Sequence, residues 1–359
     1  MPFLQYLEEQ PKPRRVVGRD GGPLMQPRFP VFVPSKGRAD SRLTQKMLTE
    51  MGVPYRTVIE PQEVKSYIRA GEPEANILVL PHRDKGLVVT RNWIWSFALE
   101  EGYPYLWTID DNVWKSYRLT NNQKTPVADG TMFYVMEEFA LRYSNLPIVG
   151  ANYYMFAPRK AAVHVPPLFL NNRIYSNMLL AADFRDPRGN PYRNEGWYND
   201  DTDLCLRVLK DGNCTVLFNA FLIQKMTTMH VKGGMTAHYE KQADVDPKWR
   251  ALAEEAVRRH WYFDPADEKV DEERVRDGRW RMAVELAAKH PDVTKITHKF
   301  GRWQHQVDYS PFRRNKLILR EGVKVPEGTN EFGMILERRD ASGTWAQVDS
   351  MWYPWEDAG

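Results

Sequence analysis

Apolar and amphipathic stretches alternate along the first third of the chain. The apolar runs predict strands and lie at 29–34, 55–60, 76–81 and 103–109. The amphipathic runs predict helices and lie at 41–52, 63–71 and 88–102. In the first of these, Leu43, Met47 and Met51 lie on one helical face, and Gly52 ends the helix. This alternation predicts an α/β fold with a mainly parallel sheet flanked by helices.

The pattern changes after about residue 240. Before that point two more strands are predicted, at 146–160 and 214–224, with a helix between them that ends at Gly212. After it come a charged helical stretch, a basic stretch and an aromatic tail, at 247–290, 291–320 and 320–359. We therefore predict three parts: an arm rich in Pro, Gly and Arg, a sheet domain, and a helical and basic extension, over residues 1–28, 29–240 and 241–359.

Composition limits the class of protein. Of the 359 residues, 42% are hydrophobic and 27% charged, so a packed core is expected. The formal charge of +3 neither requires nor excludes a polyanionic partner. No apolar run has the length of a membrane span, and the N-terminus lacks a secretory signal pattern. Cys205 and Cys214 make no disulfide framework. We expect a cytoplasmic protein that contacts no membrane, and its oligomeric state stays open.

Adjacent carboxylates follow the fourth predicted strand. Asp110, Asp111 and Asn112 come directly after its apolar run. Neighbouring carboxylates at the end of a buried strand repel each other and lose hydration, and a hard cation such as Mg²⁺ or Mn²⁺ compensates both effects. A capping turn, in which Asp and Asn accept hydrogen bonds from backbone amides, is the structural alternative.

Two further clusters carry charge at predicted helix starts. Lys85 precedes the helix that carries Arg91, and a lysine beside a helix N-terminus is typical of a phosphate site. Asp200 and Asp201 begin the helix that ends at Gly212. One of these carboxylates is a candidate general base, although negative charge is also favoured at a helix start for structural reasons.

A short loop combines a histidine, a lysine and glycines. His230, Lys232 and Gly233 lie within the sequence MHVKGGM. Imidazole can ligate a metal, lysine can pair with phosphate, and glycine lets backbone N–H groups approach oxygen atoms. A single histidine is more often structural, but this combination indicates a site.

The order of these motifs resembles that of a known enzyme family. PSKGR, Lys-Gly with Arg-Asn, Asp-Asp-Asn, Asp-Asp-x-Asp-Leu and His-x-Lys-Gly-Gly follow one another at 34–38, 85–92, 110–112, 200–204 and 230–234. This order resembles the GT-A glycosyltransferases over residues 29–240. More closely, and including HKFGRWQHQVDYS at 298–310, it resembles the phage TET-associated glycosyltransferases, which are thought to sugar-modify 5-hydroxymethylcytosine in DNA.

The resemblance implies a GT-A-type, Rossmann-like fold and a hexosyltransferase that acts in the bacterial host cytoplasm during infection. The donor would be a UDP-sugar carrying glucose or N-acetylglucosamine. The implied nucleotide contacts are Pro34, Ser35, Lys36, Arg38 and Glu60. The implied diphosphate contacts are Lys85, Arg91, Lys232 and Gly233.

The resemblance also implies a metal and a base. Mn²⁺ or Mg²⁺ would bind Asp111, helped by Asp110, Asn112 and His230. Position 112 departs from the usual Asp-x-Asp triplet, although an Asn carbonyl can still ligate a cation. Asp201 would be the base, with Asp200 left open, in a reaction expected to be inverting. A retaining enzyme would use the same metal turn.

The acceptor assignment depends on the basic segment 291–320. It contains seven Lys or Arg against two Asp, a local charge of +5, with aromatic residues between them. Trp303 is a candidate for stacking on a base, and Arg313 and Arg314 for contacts with a DNA backbone. A solvated surface with core aromatics is the structural alternative. A glycan or small-molecule acceptor, or a DNA-binding module with a decayed sugar site, would be the rival functions.

Overall fold

The computed structural model describes residues 16–17, 23–120, 122–157, 165–185, 196, 198–226, 233–234, 239–269, 271–325, 327, 336–339 and 345–348. No helix within these ranges is long and apolar enough to cross a membrane.

Ten strands of the described residues form one mixed sheet. A short antiparallel pair precedes it, β1 (Val16–Val17) with β2 (Pro23–Leu24). The sheet strands are β3 (Val31–Pro34), β4 (Arg56–Ile59), β5 (Ile77–Val79), β6 (Tyr105–Ile109), β7 (Val113–Thr120), β8 (Gln123–Pro126), β9 (Ile148–Tyr153), β10 (Leu168–Leu170), β11 (Asn177–Ala181) and β12 (Thr215–Lys225). Their order across the sheet is β5-β4-β3-β6-β11-β9-β12-β7-β8, with β10 paired to β12.

Helices cover this sheet and build the C-terminal part. Those of the sheet domain are α1 (Leu43–Glu50), α2 (Val64–Arg69), α3 (Leu87–Glu100), α4 (Thr131–Ala140) and α5 (Asp200–Lys210). Those that follow are α6 (Lys248–Arg258), α7 (Glu272–Arg276) and α8 (Gly278–Lys289). Short 3₁₀ turns lie at Pro61–Glu63, Glu74–Asn76, Pro265–Asp267 and Ser310–Arg314. Two antiparallel pairs complete the description, β13 (Thr294–Lys299) with β14 (Arg302–Val307) and β15 (Leu336–Arg339) with β16 (Trp345–Val348).

The pairing confirms the predicted α/β class, with a mixed sheet flanked by helices. Strands β5, β4, β3 and β6 run parallel, and β9 is parallel to β12. Strands β7, β8, β10 and β11 pair antiparallel with their neighbours. The parallel half is the part that the alternation of strand and helix predicted, and it places the ends of β3, β4 and β6 along one edge.

Both faces of the sheet are buried, which explains the unbroken apolar runs of its central strands. In β6, Trp107 belongs to a core on one face, and Leu106 belongs to the core on the other. Met47 of α1 packs into the first core, and Ile94 of α3 and Leu204 of α5 pack into the second. The apolar positions of the strands and of the helices therefore pack against each other in two layers, one on each face of the sheet.

The C-terminal part has its own apolar core. Trp249, Trp261 and Trp280 are buried there together with Ile296 of β13. Tyr198, which stands just before α5 of the sheet domain, belongs to the same cluster. The C-terminal part is thus packed directly beside the helix start that carries Asp200 and Asp201.

Candidate active site

The residues that follow three parallel strands lie side by side, because the strands run in one direction. Ser35 comes directly after β3, Glu60 after β4, and Asp110 after β6. The Ser35 amide donates to the Val58 carbonyl of β4 at 3.0 Å, which fixes the start of its loop against the neighbouring strand. The sheet therefore builds one polar edge from residues that are distant in sequence.

Asp111 is buried among donors from the loop after β3. Ser35 Oγ donates to Asp111 Oδ2 at 2.6 Å and shares a second hydrogen bond of 2.6 Å with the Tyr67 hydroxyl. The Arg38 guanidinium forms an ion pair with Asp111 Oδ1. Burial raises the pKa of Asp111, and the Arg38 charge opposes that effect. Both oxygens of this predicted metal ligand are engaged by predicted nucleotide contacts.

A second ion-pair group surrounds Glu60. Lys36 Nζ donates to Glu60 Oε1 at 3.1 Å and pairs with Asp84, whose amide donates to the same Glu60 oxygen at 3.0 Å. Pro34 is buried at the end of β3, close to this group in sequence. Lys85 is exposed just before α3. These predicted nucleotide and diphosphate residues therefore occupy the loops after β3, β4 and β5.

The glycine loop approaches the loop after β3 closely. The Gly234 amide donates to the Lys36 carbonyl at 2.9 Å. Gly233 has φ +86°, and a Cβ at this position would lie 2.7 Å from the same carbonyl oxygen, so no larger residue fits without a shift. The other two predicted residues of the loop lie outside the described residues: His230 and Lys232.

Two cations neutralise the turn at Asp110. Arg91 donates to Asp110 Oδ1 at 2.8 Å and to Asp200 Oδ2 at 2.5 Å, so it joins the turn to the start of α5. Lys225 Nζ donates to Asp110 Oδ2 at 2.8 Å and to Ser176 Oγ at 2.7 Å. Burial opposes ionisation, but the charges of Lys225 and Arg91 hold the pKa of Asp110 well below its ordinary value. Asp110 is therefore an ionised carboxylate that these contacts hold in place.

Asp201 has a different environment from Asp200. Within the described part of the chain, Asp201 accepts hydrogen bonds only from Thr202, whose amide lies 2.7 Å from Asp201 Oδ1. Burial, together with the negative charge of Asp200, raises the pKa of Asp201 to about 6. A carboxylate with a pKa in this range can accept and release a proton near neutral pH. Asp200 is thus ion-paired with Arg91, whereas the described hydrogen bonds to Asp201 come from Thr202.

The third acidic residue of α5 is structural. Asp203 is 1% exposed, and its Oδ1 lies 2.8 Å from His290 Nε2 at the end of α8. Its Oδ2 lies 3.4 Å from Arg207 Nε, one turn along α5. This buried network anchors the helix that carries Asp201 to the C-terminal part.

The sequence interpretation missed the residues that contact Asp110 on the side opposite Arg91. Lys225 ends β12 and Ser176 precedes β11, and both contact Asp110. The Tyr153 hydroxyl shares a 2.6 Å hydrogen bond with Ser176 Oγ, and its ring centroid lies 4.4 Å from that of Tyr175. Arg173 lies 5.0 Å from the Tyr175 ring. The signal available in the sequence was a lysine at the end of a long apolar strand, which is the same kind of signal that identified Asp110.

The donor atoms of the turn at 110–112 determine whether it can hold a metal ion. The described residues contain no group of three or more His, Cys, Asp or Glu side chains arranged to hold a metal, and the predicted ligand His230 lies outside them. Asn112 Nδ2 donates to the Met226 carbonyl at 3.1 Å, whereas Asn112 Oδ1 is buried with no described partner. Oxygen donors suit a hard cation, but cations already neutralise Asp110 and Asp111. The described turn therefore offers Asn112 Oδ1 as an oxygen without a described partner, beside two carboxylates that are already ion-paired.

The predicted acceptor residues lie in two different places. Trp303 of β14 is half-buried, with Arg274 4.6 Å from its ring and His298 4.9 Å from it. Arg313 and Arg314 are exposed in the 3₁₀ turn that follows. Arg313 lines a cavity of about 320 Å³.

The part of the basic segment after Arg314 lies away from Asp200 and Asp201. Asn315 Nδ2 donates to the Leu209 carbonyl at 2.8 Å, at the opposite end of α5 from Asp201. A helical rise of about 1.5 Å per residue separates those two ends of α5 by roughly 12 Å. Arg320 donates to the Tyr105 hydroxyl at 3.3 Å, at the amino end of β6. The segment 291–320 is therefore not one continuous surface.

Comparison with known proteins gives a family and a set of similar solved structures, two of which are described below. A family model described as TET-Associated Glycosyltransferase matches residues 29–234. Curated proteins give no match. The crystal structure of S. aureus TarS 1-349 is similar over 82% of this chain and 99% of that chain, with 12% identity and a TM-score of 0.37. A crystal structure of S. aureus TarS matches over 81% of this chain and 60% of that chain, with 13% identity and a TM-score of 0.37.

Proposed function

Because the chain belongs to the TET-associated glycosyltransferase family, we propose that it transfers a sugar from a UDP-sugar to the hydroxyl of 5-hydroxymethylcytosine in DNA. The observation that carries this proposal is the occurrence of Asp201, whose pKa is raised to about 6, next to Asp200, which Arg91 links to Asp110 and its second cation, Lys225. Glycosyl transfer needs both: a base for the acceptor hydroxyl and positive charge for the departing diphosphate.

The donor would occupy the polar edge of the sheet. We assign the nucleoside to the loops after β3 and β4, where Ser35, Arg38 and Glu60 are already ordered by hydrogen bonds. The diphosphate would then face Arg91, with Lys85 and Gly233 beside it. Pre-ordered donors need little reorganisation when charge develops on the leaving group.

The reaction follows from these positions. Asp201 accepts the proton of the acceptor hydroxyl while that oxygen forms a bond to the anomeric carbon. The bond between the anomeric carbon and the diphosphate breaks, and the electron pair leaves with the diphosphate. Attack from the face opposite the leaving group inverts the anomeric configuration. Arg91 joins the two halves of this chemistry, because it contacts both the Asp110 turn and the start of α5.

We propose that Mn²⁺ or Mg²⁺ joins the turn together with the diphosphate. Asp111, Asp110, Asn112 and His230 would hold it, and when bound it would neutralise the leaving diphosphate. We expect Mn²⁺ to bind the UDP complex at least about tenfold more tightly than the free protein, because the free turn is already neutralised. Asn112→Ala should remove most of this difference. Titration calorimetry with and without UDP measures both affinities, and full turnover in EDTA would contradict the metal proposal.

The acceptor class is tested by intact-mass analysis of oligonucleotides. A hydroxymethylated oligonucleotide is incubated with the protein and either UDP-glucose or UDP-N-acetylglucosamine, and the matched control carries unmodified cytosine. Our proposal expects the mass of one hexosyl or N-acetylhexosaminyl group only on the hydroxymethylated strand. Transfer to simple sugars or glycans, with none to either oligonucleotide, would move the assignment to a glycan or small-molecule acceptor.

The choice of base predicts a specific change in the pH profile. The ionised form of Asp201 is the active one, so kcat/KM should rise with pH through an apparent pKa near 6. Asp200→Asn removes a negative charge that raises the pKa of Asp201, so it should shift this limb to lower pH while keeping activity. If Asp200→Asn instead abolishes turnover at every pH, Asp200 is the base.

A further inference from the structure

The hairpin of β13 and β14 ends in an exposed aromatic tip. Its register pairs Lys299 with Arg302, so Phe300 and Gly301 form a two-residue turn. Both have left-handed backbone, with φ of 55° and 69°, as tight hairpin turns of this type require. The Phe300 side chain is 90% exposed, the largest fraction among the exposed large apolar side chains of the described residues.

The fold gives no reason for a phenylalanine at this position. Asparagine or glycine suits the first place of such a turn better, because a bulky side chain is strained at positive φ. An apolar ring held in water also forgoes the free energy of burial. The ring therefore has the properties of a contact residue and not of a core residue.

Cations on both sides of the tip indicate the charge of the partner. Lys299 and Arg302 are both exposed. Lys299 Nζ lies 5.4 Å from the ring of Phe263, which is itself 59% exposed. Lys295 of the same hairpin adds a third positive charge, whereas the nearest acid along β14, Asp308, lies beyond the far end of the strand. An apolar tip flanked by cations complements a stack of bases between two phosphate backbones.

A cavity of about 490 Å³ lies beside the tip. Phe300, Arg302, Tyr239 and Arg279 line it, together with Gly301, Lys241, Glu240 and Asp277. Tyr239 stacks edge-on against Tyr198, with ring centroids 5.5 Å apart. Because Tyr198 stands just before α5, the Tyr239 ring lies beside the start of the helix that carries Asp201. The volume falls within the range of about 300–1,000 Å³ that small ligands occupy.

We propose that Phe300 inserts into the base stack of duplex DNA and holds open the position of an extruded nucleotide, which enters this cavity. The inference rests on the proposed function, because it needs a base in DNA as the acceptor. A substituent on a paired cytosine cannot reach a buried carboxylate, and extrusion of a nucleotide costs stacking energy. An aromatic wedge replaces part of the lost stacking, and Lys299 and Arg302 contact the phosphates on either side.

The test compares two acceptors and three variants of the full chain. The acceptors are a duplex and a single strand of the same hydroxymethylated sequence. Phe300→Ala should lower kcat/KM on the duplex about tenfold or more, the size of a lost stacking contact, and leave the single strand unchanged. Phe300→Trp should retain activity on both. Tyr103→Ala, which removes an exposed aromatic ring at the amino end of β6, is the matched control and should have no effect.

A second measurement follows extrusion directly. A 2-aminopurine placed next to the target base should brighten when the wild-type protein binds the duplex, and this signal should be lost with Phe300→Ala. Equal losses on duplex and single strand, or no loss on either, would overturn the wedge while sugar transfer itself stands. A wild-type protein that modifies neither oligonucleotide would overturn the proposed function and this inference with it. If Phe300→Ala abolishes binding to phosphatidylglycerol vesicles while transfer to the duplex is unchanged, the hairpin is a membrane contact and the wedge is wrong.

Discussion

Asp201→Asn is expected to lower kcat by about two to four orders of magnitude, because a positioned general base contributes roughly 10²–10⁴-fold to a rate. Asparagine has the shape of aspartate, and its amide oxygen can still accept the hydrogen bond from the Thr202 amide. The variant should therefore fold and bind UDP normally. The rise of kcat/KM with pH near 6 should disappear with the carboxylate.

The control residue for this substitution directly follows the same helix. Asp211→Asn changes an exposed carboxylate directly after the last turn of α5, far from Arg91, and should leave kcat and its pH profile unchanged. Stopped assays at saturating UDP-sugar, with a UDP affinity for each variant, separate loss of chemistry from loss of binding. An Asp201→Asn enzyme with near-normal kcat and the same acidic limb would remove Asp201 from the base role.

The parallel half of the sheet and its polar edge could be predicted because their signals are local. Each strand there is a short apolar run, and each polar cluster follows its strand directly in sequence. Parallel strands bring such ends together whatever the exact register. This is why Ser35 and Asp111, predicted from separate motifs, are found hydrogen-bonded to each other.

The antiparallel half contributes residues whose local sequence signal does not give their position in the site. Lys225 reaches Asp110 because β12 runs beside β9 and β7, and β11 stands between β9 and β6. That strand order is set by packing between distant segments, and a lysine at the end of an apolar run does not reveal it. Asn199 shows the same limit at the start of α5, since its side chain donates to the Met282 carbonyl of α8 and accepts no capping hydrogen bond from its own helix.

The basic segment shows how composition fails to define a surface. Its cations were grouped because they are near in sequence. After the hairpin, however, the chain passes the C-terminal end of α5, where Asn315 contacts Leu209, and reaches the start of β6, where Arg320 contacts Tyr105. The register of β13 and β14 also decides which aromatic is exposed: it places Trp303 against His298 and puts Phe300 in the turn. Phe-Gly is not among the usual two-residue turn signals, so the hairpin tip was not apparent from the sequence.

Lys225→Met is expected to lower kcat by about 10²–10³-fold, the cost of removing one fixed charge that stabilises a leaving group. Lys225 Nζ is held by Asp110 and Ser176, so it is positioned before the donor binds and needs no reorganisation as charge develops. Methionine keeps the length of the side chain but removes the charge, and it also leaves Asp110 with Arg91 as its remaining described cation. The pKa of Asp110 should therefore rise toward its ordinary value.

Two companion variants separate the charge of Lys225 from its packing. Lys225→Arg keeps the charge and should retain much more activity than Lys225→Met. Lys115→Met removes a lysine from the adjacent strand β7, where it lies 5.6 Å from the Tyr117 ring, and should leave kcat unchanged. Thermal melts show whether each variant is folded at the assay temperature. If folded Lys225→Met turns over at the wild-type rate, Lys225 is not needed to neutralise the leaving group. Arg91 and the metal ion proposed to accompany the diphosphate would then do so, and Lys225 would serve only to hold Asp110 in place.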